Sequence, residues 1–263
     1  MDFKKLKCDD IKIFIRNLNF ESDKIDEIIF ILNCDERSSV KKLALSLKNK
    51  YEQFKKLEAM NAEFYDFDRQ YVLNNNYVIA GCDEVGRGPL AGPIVCVSVV
   101  LDLNNENKII KNINDSKKIK SRDLKKQISQ EIIKNAKHFK IIEISNHEID
   151  KFGIGTANQD GLRRSIEELN VNVDLVLSDG YLVKGLKQKN ISIIKGDTKS
   201  ASIMCASIIA KVYRDELMIK YHEKYPQYDF INNVGYGTKT HIENIKKFGI
   251  CEYHRKSFIK NII

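Results

Sequence analysis

Apolar side chains recur at helical spacing along the amino-terminal quarter of the chain: Ile11, Ile13, Phe14 and Ile15, then Ile25, Ile28, Ile29, Phe30 and Ile31, then Val40, Leu43, Leu45 and Leu47, with charged residues between them. Neither Gly nor Pro interrupts residues 1–70. Asp35 and Ser38 or Ser39 have side chains that cap helix starts, so the pattern predicts two or three short amphipathic helices. A charged helix bearing aromatic residues is expected over residues 51–71, and Asn74, Asn75 and Asn76 mark a break. The division is therefore a helical extension over residues 1–72 and a larger domain over residues 73–263 that closes with a helical segment.

From Tyr77 the period changes. The runs YVIAGC and IVCVSVVL read as strands joined by a Gly/Pro-rich connection. A helix is expected over residues 121–137, a strand over 139–144, a helix over 156–169, strands at VDLVLSD and ISIIKGD, and a long helix over 200–224. This mixture is α/β. Its first two strands are joined too closely for a helical crossover, so the central sheet is mixed rather than purely parallel, with helices flanking it.

Composition narrows the class. With 43% apolar and 30% charged residues among 263, the chain has ordinary globular usage, which excludes disordered and low-complexity types. No apolar run approaches the ~20 residues of a membrane span, and the opening MDFKKLKCDD lacks the apolar core of a secretory signal, so a cytoplasmic protein without a membrane partner is expected. Six cysteines occur without a CxxC pair or zinc-like Cys/His spacing, and they read as small buried side chains. Five scattered histidines read as packing or surface groups. Residues 1–76 are electrically neutral, whereas residues 77–263 hold 30 basic against 22 acidic residues and so carry the whole net charge of +8. The basic region is the one suited to a polyanion.

Three apolar runs end in acids: YVIAGC in Asp83 and Glu84, VDLVLS in Asp179, and ISIIKG in Asp197. Strands aligned by these ends would gather four carboxylates at the edge where open α/β sheets place ligands. Like charges that close raise one another's pKa, so protons or cations must compensate them. Oxygen ligands without His or Cys suit Mg²⁺ or Mn²⁺. Adjacent side chains on a regular strand face opposite ways, so Asp83 and Glu84 share a site only if the strand ends or bulges there, which Gly81, Gly86 and Gly88 would permit. After Glu84, the loop Val85-Gly86-Arg87-Gly88-Pro89 lets backbone N–H groups approach an anion and adds a guanidinium. Asp115, Ser116, Lys117 and Lys118 form a second polar loop suited to phosphate. Lys199 and Ser200 open the long helix, where anions are favoured.

In order along the chain, GCDEVGRGPLAGP, DSKK, SDG, KGD followed by SASIMCASIIAKVYRD, GYGTKTH and YHRKSF resemble the bacterial ribonuclease HII family over about residues 77–258. The Gly-Arg-Gly at 86–88 separates this pattern from that of the sister ribonuclease HIII. The resemblance implies an RNase H-like fold and an endonuclease that cuts the RNA strand of RNA/DNA hybrids and incises at single ribonucleotides in duplex DNA, in ribonucleotide removal and RNA primer removal. It places catalytic and metal-ligating roles on Asp83, Glu84, Asp179 and Asp197. It places backbone reading on Gly86, Arg87 and Gly88, and sugar sensing on Tyr236. Two divalent ions, Mn²⁺ or Mg²⁺, are implied, with products ending in 3′-hydroxyl and 5′-phosphate and a monomeric enzyme.

His254, Arg255 and Lys256 are expected either to meet the DNA strand or to form an exposed tail. Asp215 is expected to support the site without ligating. The family usually has a basic residue where Val234 stands and Leu where Ile119 stands. Two rival readings follow: a ribonuclease HIII-like enzyme that spares single ribonucleotides, and a hybrid-binding module whose acids only brace the fold.

Overall fold

A computed structural model of the chain describes residues 2–21, 24–105, 109–111, 113–114, 119, 121–260 and 262. It divides into two units, Met1–Met60 and Asn61–Ile263. In the first, a 3₁₀ turn (Phe3–Lys5) precedes α1 (Cys8–Arg16), α2 (Ile25–Asn33) and a long α3 (Ser38–Arg69), which runs on into the second unit. Val40, Ala44 and Leu47 lie three or four residues apart and so share one face of α3, which they bury with Ile11, Ile25, Ile29 and Leu32. The Asp35 carboxylate accepts from the Arg37 backbone N–H at 2.9 Å, and the Arg37 guanidinium reaches the carbonyls of Leu6 and Phe3 at 2.6 and 2.9 Å. The helices expected around residues 40–47 and 51–71 are one, because no Gly or Pro between them breaks the hydrogen-bond ladder.

The last turns of α3 serve the second unit. Tyr65 and Asp68 are fully buried there; the Tyr65 hydroxyl accepts from the Ile110 N–H at 2.9 Å and Asp68 Oδ2 from the Ser202 N–H at 2.8 Å. Residues 61–69, grouped with the extension by sequence pattern, thus supply core and capping groups to the larger unit.

That unit is built on a five-stranded sheet of β1 (Ile79–Val85), β2 (Ile94–Val100), β3 (His138–Ile144), β4 (Leu175–Asp179) and β5 (Lys189–Ile193). The spatial order is β3-β2-β1-β4-β5; β1 pairs antiparallel with β2 and parallel with β4, so the sheet is mixed, as the short β1–β2 connection requires. Between the strands run α4 (Arg122–Asn135), α5 (Asn146–Phe152) and α6 (Ile154–Glu167). After them come α7 (Ala201–Lys224), α8 (Phe230–Asn233), α9 (Lys239–Phe248) and α10 (Lys256–Ile259).

β2 is buried along its whole length, which is why IVCVSVV shows no alternation. One sheet face packs on α5 and α6 through Ala80, Cys82, Cys96, Val176, Ile149, Ala157 and Leu162. The other carries α7, whose first turn lies directly on β1: a Cβ on Gly81 would fall 2.3 Å from the Ser202 backbone. No helix among the described residues is long and apolar enough to cross a membrane.

Candidate active site

A cavity of about 290 Å³ is lined by Asp83, Glu84, Val85, Lys125, Asp179, Asp197, Ser207, Lys211 and Tyr236. All four acids singled out by the strand ends are on it. Asp83 and Glu84 come from β1 and Asp179 from the last position of β4. Asp197 comes from a 3₁₀ turn (Gly196–Thr198) that follows β5. The ISIIKGD run therefore stops as a strand at Ile193, and Lys195 in the left-handed conformation (φ 57°) turns the chain so that Asp197 comes back toward the sheet. Asp179 Oδ1 accepts from the Gly196 N–H at 2.6 Å, which ties this turn to the end of β4.

β1 neither ends nor bulges at the acidic pair. Its register with β2 is regular through Asp83↔Val97, Glu84↔Cys96 and Val85↔Val95, whereas its pairing with β4 stops at Cys82↔Ser178. Alternation consequently holds. Asp83 faces α7 and hydrogen-bonds Ser207, while Glu84 shares the α6 side with its cross-strand partner Cys96. Both reach the cavity because the β4 side of the strand is open beyond Cys82. Glu84 accepts from the Tyr181 hydroxyl in a short hydrogen bond and from Arg87 Nη1 at 3.4 Å.

Burial pushes the Asp83 carboxyl well above its ordinary range, and the charges of Glu84 and Asp179 add to the effect. Burial raises Glu84 too, partly offset by Tyr181 and Arg87. Among the described residues no three His, Cys, Asp or Glu side chains stand as a ready metal shell. The donor set nonetheless fits divalent cations: it is all oxygen, with Asp83 and Asp197 buried, and the charges of Glu84 and Asp179 both raise the Asp83 pKa.

Tyr236 is 44% exposed at the cavity wall. It stands beside the glycine loop, since a Cβ on Gly88 would lie 3.7 Å from its ring. Gly86 has φ 94°, and any side chain there would meet the Arg214 guanidinium at 2.3 Å. Arg87 and Gly88 are exposed. Two buried arginines hold this loop. Arg255 donates to the carbonyls of Gly86, Arg87 and Gly92 at 2.5, 2.9 and 2.9 Å. Arg214 donates to those of Pro93, Ala91 and Val234 at 3.0, 3.0 and 2.9 Å. Burial lowers their pKa values to about 9 and about 10, leaving both charged at neutral pH. Val234 itself sits in the left-handed region (φ 44°), strained for a β-branched residue.

Several placements differ from the sequence reading. Arg255 and His254 are buried, so neither belongs to an exposed tail or meets a DNA strand; carbonyl dipoles, not phosphates, satisfy the guanidinium. Ser200 is also fully buried, and its hydroxyl accepts from the Ile203 N–H as the cap of α7, which removes it from phosphate contact. Lys199 is exposed and lies off the cavity lining. Asp115, Ser116, Lys117 and Lys118 lie outside the described residues. Asp215 pairs with Lys211 at 2.8 Å. Ser207 and Lys211 escaped the sequence reading, although polar residues four apart on an otherwise apolar stretch of α7 are a legible signal. Lys125, Tyr181 and Asn158 left no signal of their own.

Against solved structures, the chain superposes on ribonuclease H2 of Pyrococcus horikoshii OT3 with a TM-score of 0.61 at 23% identity, over 70% of this chain and 96% of that one. Against Bst-RNase HIII in complex with Mn²⁺ the TM-score is 0.55 at 18% identity, over 66% and 64%. The fold is RNase H-like. The ribonuclease HII of Clostridium novyi (strain NT) is 49% identical over 268 residues, covering all of this chain and 99% of the relative. That of Clostridium acetobutylicum is 51% identical over 232 residues, covering 87% and 89%. The family model described as Ribonuclease HII matches residues 80–261. The protein is a ribonuclease H hydrolase. Within that class it belongs to the ribonuclease HII family.

Proposed function

We propose that this chain is an endonuclease that hydrolyses the RNA strand of RNA/DNA hybrids and incises duplex DNA at single ribonucleotides, acting as a cytoplasmic monomer in ribonucleotide removal and RNA primer removal. The observation that carries the reading is the convergence of Asp83, Glu84, Asp179 and Asp197 on one cavity whose wall also carries the exposed Tyr236. Asp83, Glu84, Asp179 and Asp197 would hold divalent cations, Mn²⁺ or Mg²⁺, whose charge would activate a water and stabilise the leaving 3′-oxygen, giving 3′-hydroxyl and 5′-phosphate ends.

The chain's own groups divide the remaining work. Lys125 and Lys211 on the cavity wall, with the exposed Arg87 that bonds Glu84, draw and orient the scissile strand's phosphates. Gly88 leaves room for the backbone beside Tyr236, whose ring stacks on a sugar while its hydroxyl meets the 2′-oxygen, the group that tells ribose from deoxyribose. Arg255 and Arg214 keep the loop in one conformation, so the entropic cost of ordering it is met during folding rather than on binding.

The test compares a duplex carrying one ribonucleotide with a long RNA/DNA hybrid, each with and without Mn²⁺. Metal-dependent incision of both is expected. Cutting of the long hybrid alone would indicate ribonuclease HIII-like specificity, and salt-sensitive binding without cutting would overturn the enzymatic reading of the acids.

A further inference from the structure

Glu84 faces away from Asp83 across the sheet, and what holds it there is a residue of the turn that follows Asp179. The Tyr181 hydroxyl donates to Glu84 Oε1. It accepts from Asn158 Nδ2 at 2.6 Å and from Arg87 Nη1 at 3.2 Å. A phenol has one proton to give and two lone pairs to fill, so these three bonds exhaust it and leave only one direction for the proton, toward the carboxylate. Arg87 also closes over the Tyr181 ring, 5.2 Å from its centroid. The ring has little freedom. Gly180 (φ 72°) turns the chain directly after Asp179, the Tyr181 N–H donates to the Asp179 carbonyl at 2.8 Å, and Ser178 Oγ donates to the Tyr181 carbonyl at 2.7 Å. Asn158 projects from α6, is 2% exposed, and directs its amide at the phenol. One turn thus presents Asp179 to the cavity and, two residues on, the group that holds the acid from the neighbouring strand.

We propose that Tyr181, anchored by Asn158, is the positioning residue for Glu84: it ties one carboxylate oxygen, Oε1, and so aims the other at the divalent-cation site. The inference rests on the reading of Glu84 as a ligand in the proposed function. Partners of this kind behind a ligating group orient it, and their removal typically weakens metal binding by about 10- to 100-fold.

The experiment is calorimetric titration of the full chain with Mn²⁺ alone, without nucleic acid, for wild type, Tyr181→Phe, Asn158→Ala and Glu84→Gln, with the rate of cleavage then measured against Mn²⁺ concentration. Tyr181→Phe is expected to weaken Mn²⁺ binding about 10-fold or more and to shift the Mn²⁺ dependence of cleavage by the same factor while the rate at saturating Mn²⁺ is restored. A residue that only stabilised the fold would not give this split. Asn158→Ala, which leaves the phenol in place, should shift binding in the same direction by a smaller factor. Adding Tyr181→Phe to Glu84→Gln should cost nothing more, because the two act through one carboxylate. If Glu84→Gln weakens Mn²⁺ binding and neither Tyr181→Phe nor Asn158→Ala does, the positioning role is wrong and the metal site stands. If Glu84→Gln also leaves Mn²⁺ binding unchanged, the ligand reading of Glu84 falls and takes this inference with it.

Discussion

The Nε2 atoms of His241 and His254 lie 3.1 Å apart in the interior of the second unit. Each ring's other nitrogen settles the proton. The Cys251 N–H donates to His254 Nδ1 at 2.9 Å, so His254 carries its proton on Nε2 and gives it to His241. His241 in turn carries its proton on Nδ1, which donates to the Tyr236 carbonyl at 2.8 Å. A neutral, singly ordered pair therefore ends on the backbone of the exposed tyrosine. Burial lowers both pKa values, His254 to about 4, with the neighbouring imidazole adding to that shift.

The sign of the pH effect follows. Below about pH 6.5 the unfolded chain binds a proton at His254 that the folded chain refuses, so stability falls as pH drops from there toward about 4. The expected size is up to about 3 kcal/mol across that window. His254→Asn should flatten this part of a Tm-against-pH curve. Identical slopes for the two proteins would count against the pair as its source.

Asp83 is buried beside the charges of Glu84 and Asp179, and the Ser207 hydroxyl and the Glu84 N–H offset only part of the resulting rise in its pKa. Asp83→Asn should therefore abolish cleavage and yet raise the metal-free Tm at pH 7.5, by about 3 to 6 °C. Added Mn²⁺ should raise the Tm of the wild type more than that of the variant. Differential scanning calorimetry with EDTA and with Mn²⁺ checks both halves.

The buried Arg255 guanidinium satisfies three loop carbonyls, those of Gly86, Arg87 and Gly92. Arg255→Ala leaves them unpaired and should cost about 3 kcal/mol or more, read from urea unfolding midpoints. Arg255→Lys should recover only part, since an ammonium cannot reproduce the planar fork that spans Gly86, Arg87 and Gly92.

Asp68 sits at the amino-terminal end of α7, where its carboxylate accepts from the Ser202 N–H, but burial lifts its pKa to about 6. The folded chain then holds a proton more tightly than the unfolded one, so the cost is absent below about pH 4 and grows as pH rises through about 6. Asp68→Asn keeps an acceptor without the charge and should flatten that rise. Asp68→Ala should lower stability by about 1 kcal/mol or more, as a lost helix cap does. A chain beginning at Asn61 retains this cap and the buried Tyr65; one beginning at Leu73 loses both and should melt lower, which circular dichroism of the two truncations would show.

Much of the site was legible because its signals are local. A carboxylate at the end of an apolar run is a property of a few consecutive residues, and Asp83, Glu84, Asp179 and Asp197 all line the cavity the runs implied. Tyr236 was singled out by the resemblance to the ribonuclease HII family rather than by a strand end, and it too lines the cavity. Ser200 misled because a hydroxyl before a helix looks alike whether it faces a phosphate or is buried as a cap. The His254-Arg255 pair misled because a basic run near the chain's end carries no mark of burial. Tyr181 and Asn158 left no mark at all: their roles depend on contacts across 97 and 23 positions of chain.

Hydrophobic period and strand-end chemistry, read from the sequence alone, were enough to determine the α/β class, the mixed sheet and the four acids, because each arises from neighbours within a few residues. Tertiary structure alone decided which face each acid takes, which arginines turn inward to hold the loop, and which hydroxyl fixes Glu84. Those outcomes depend on where β1 loses its partner β4 and how closely α7 lies on Gly81, distances that close only when segments far apart in the chain are packed together.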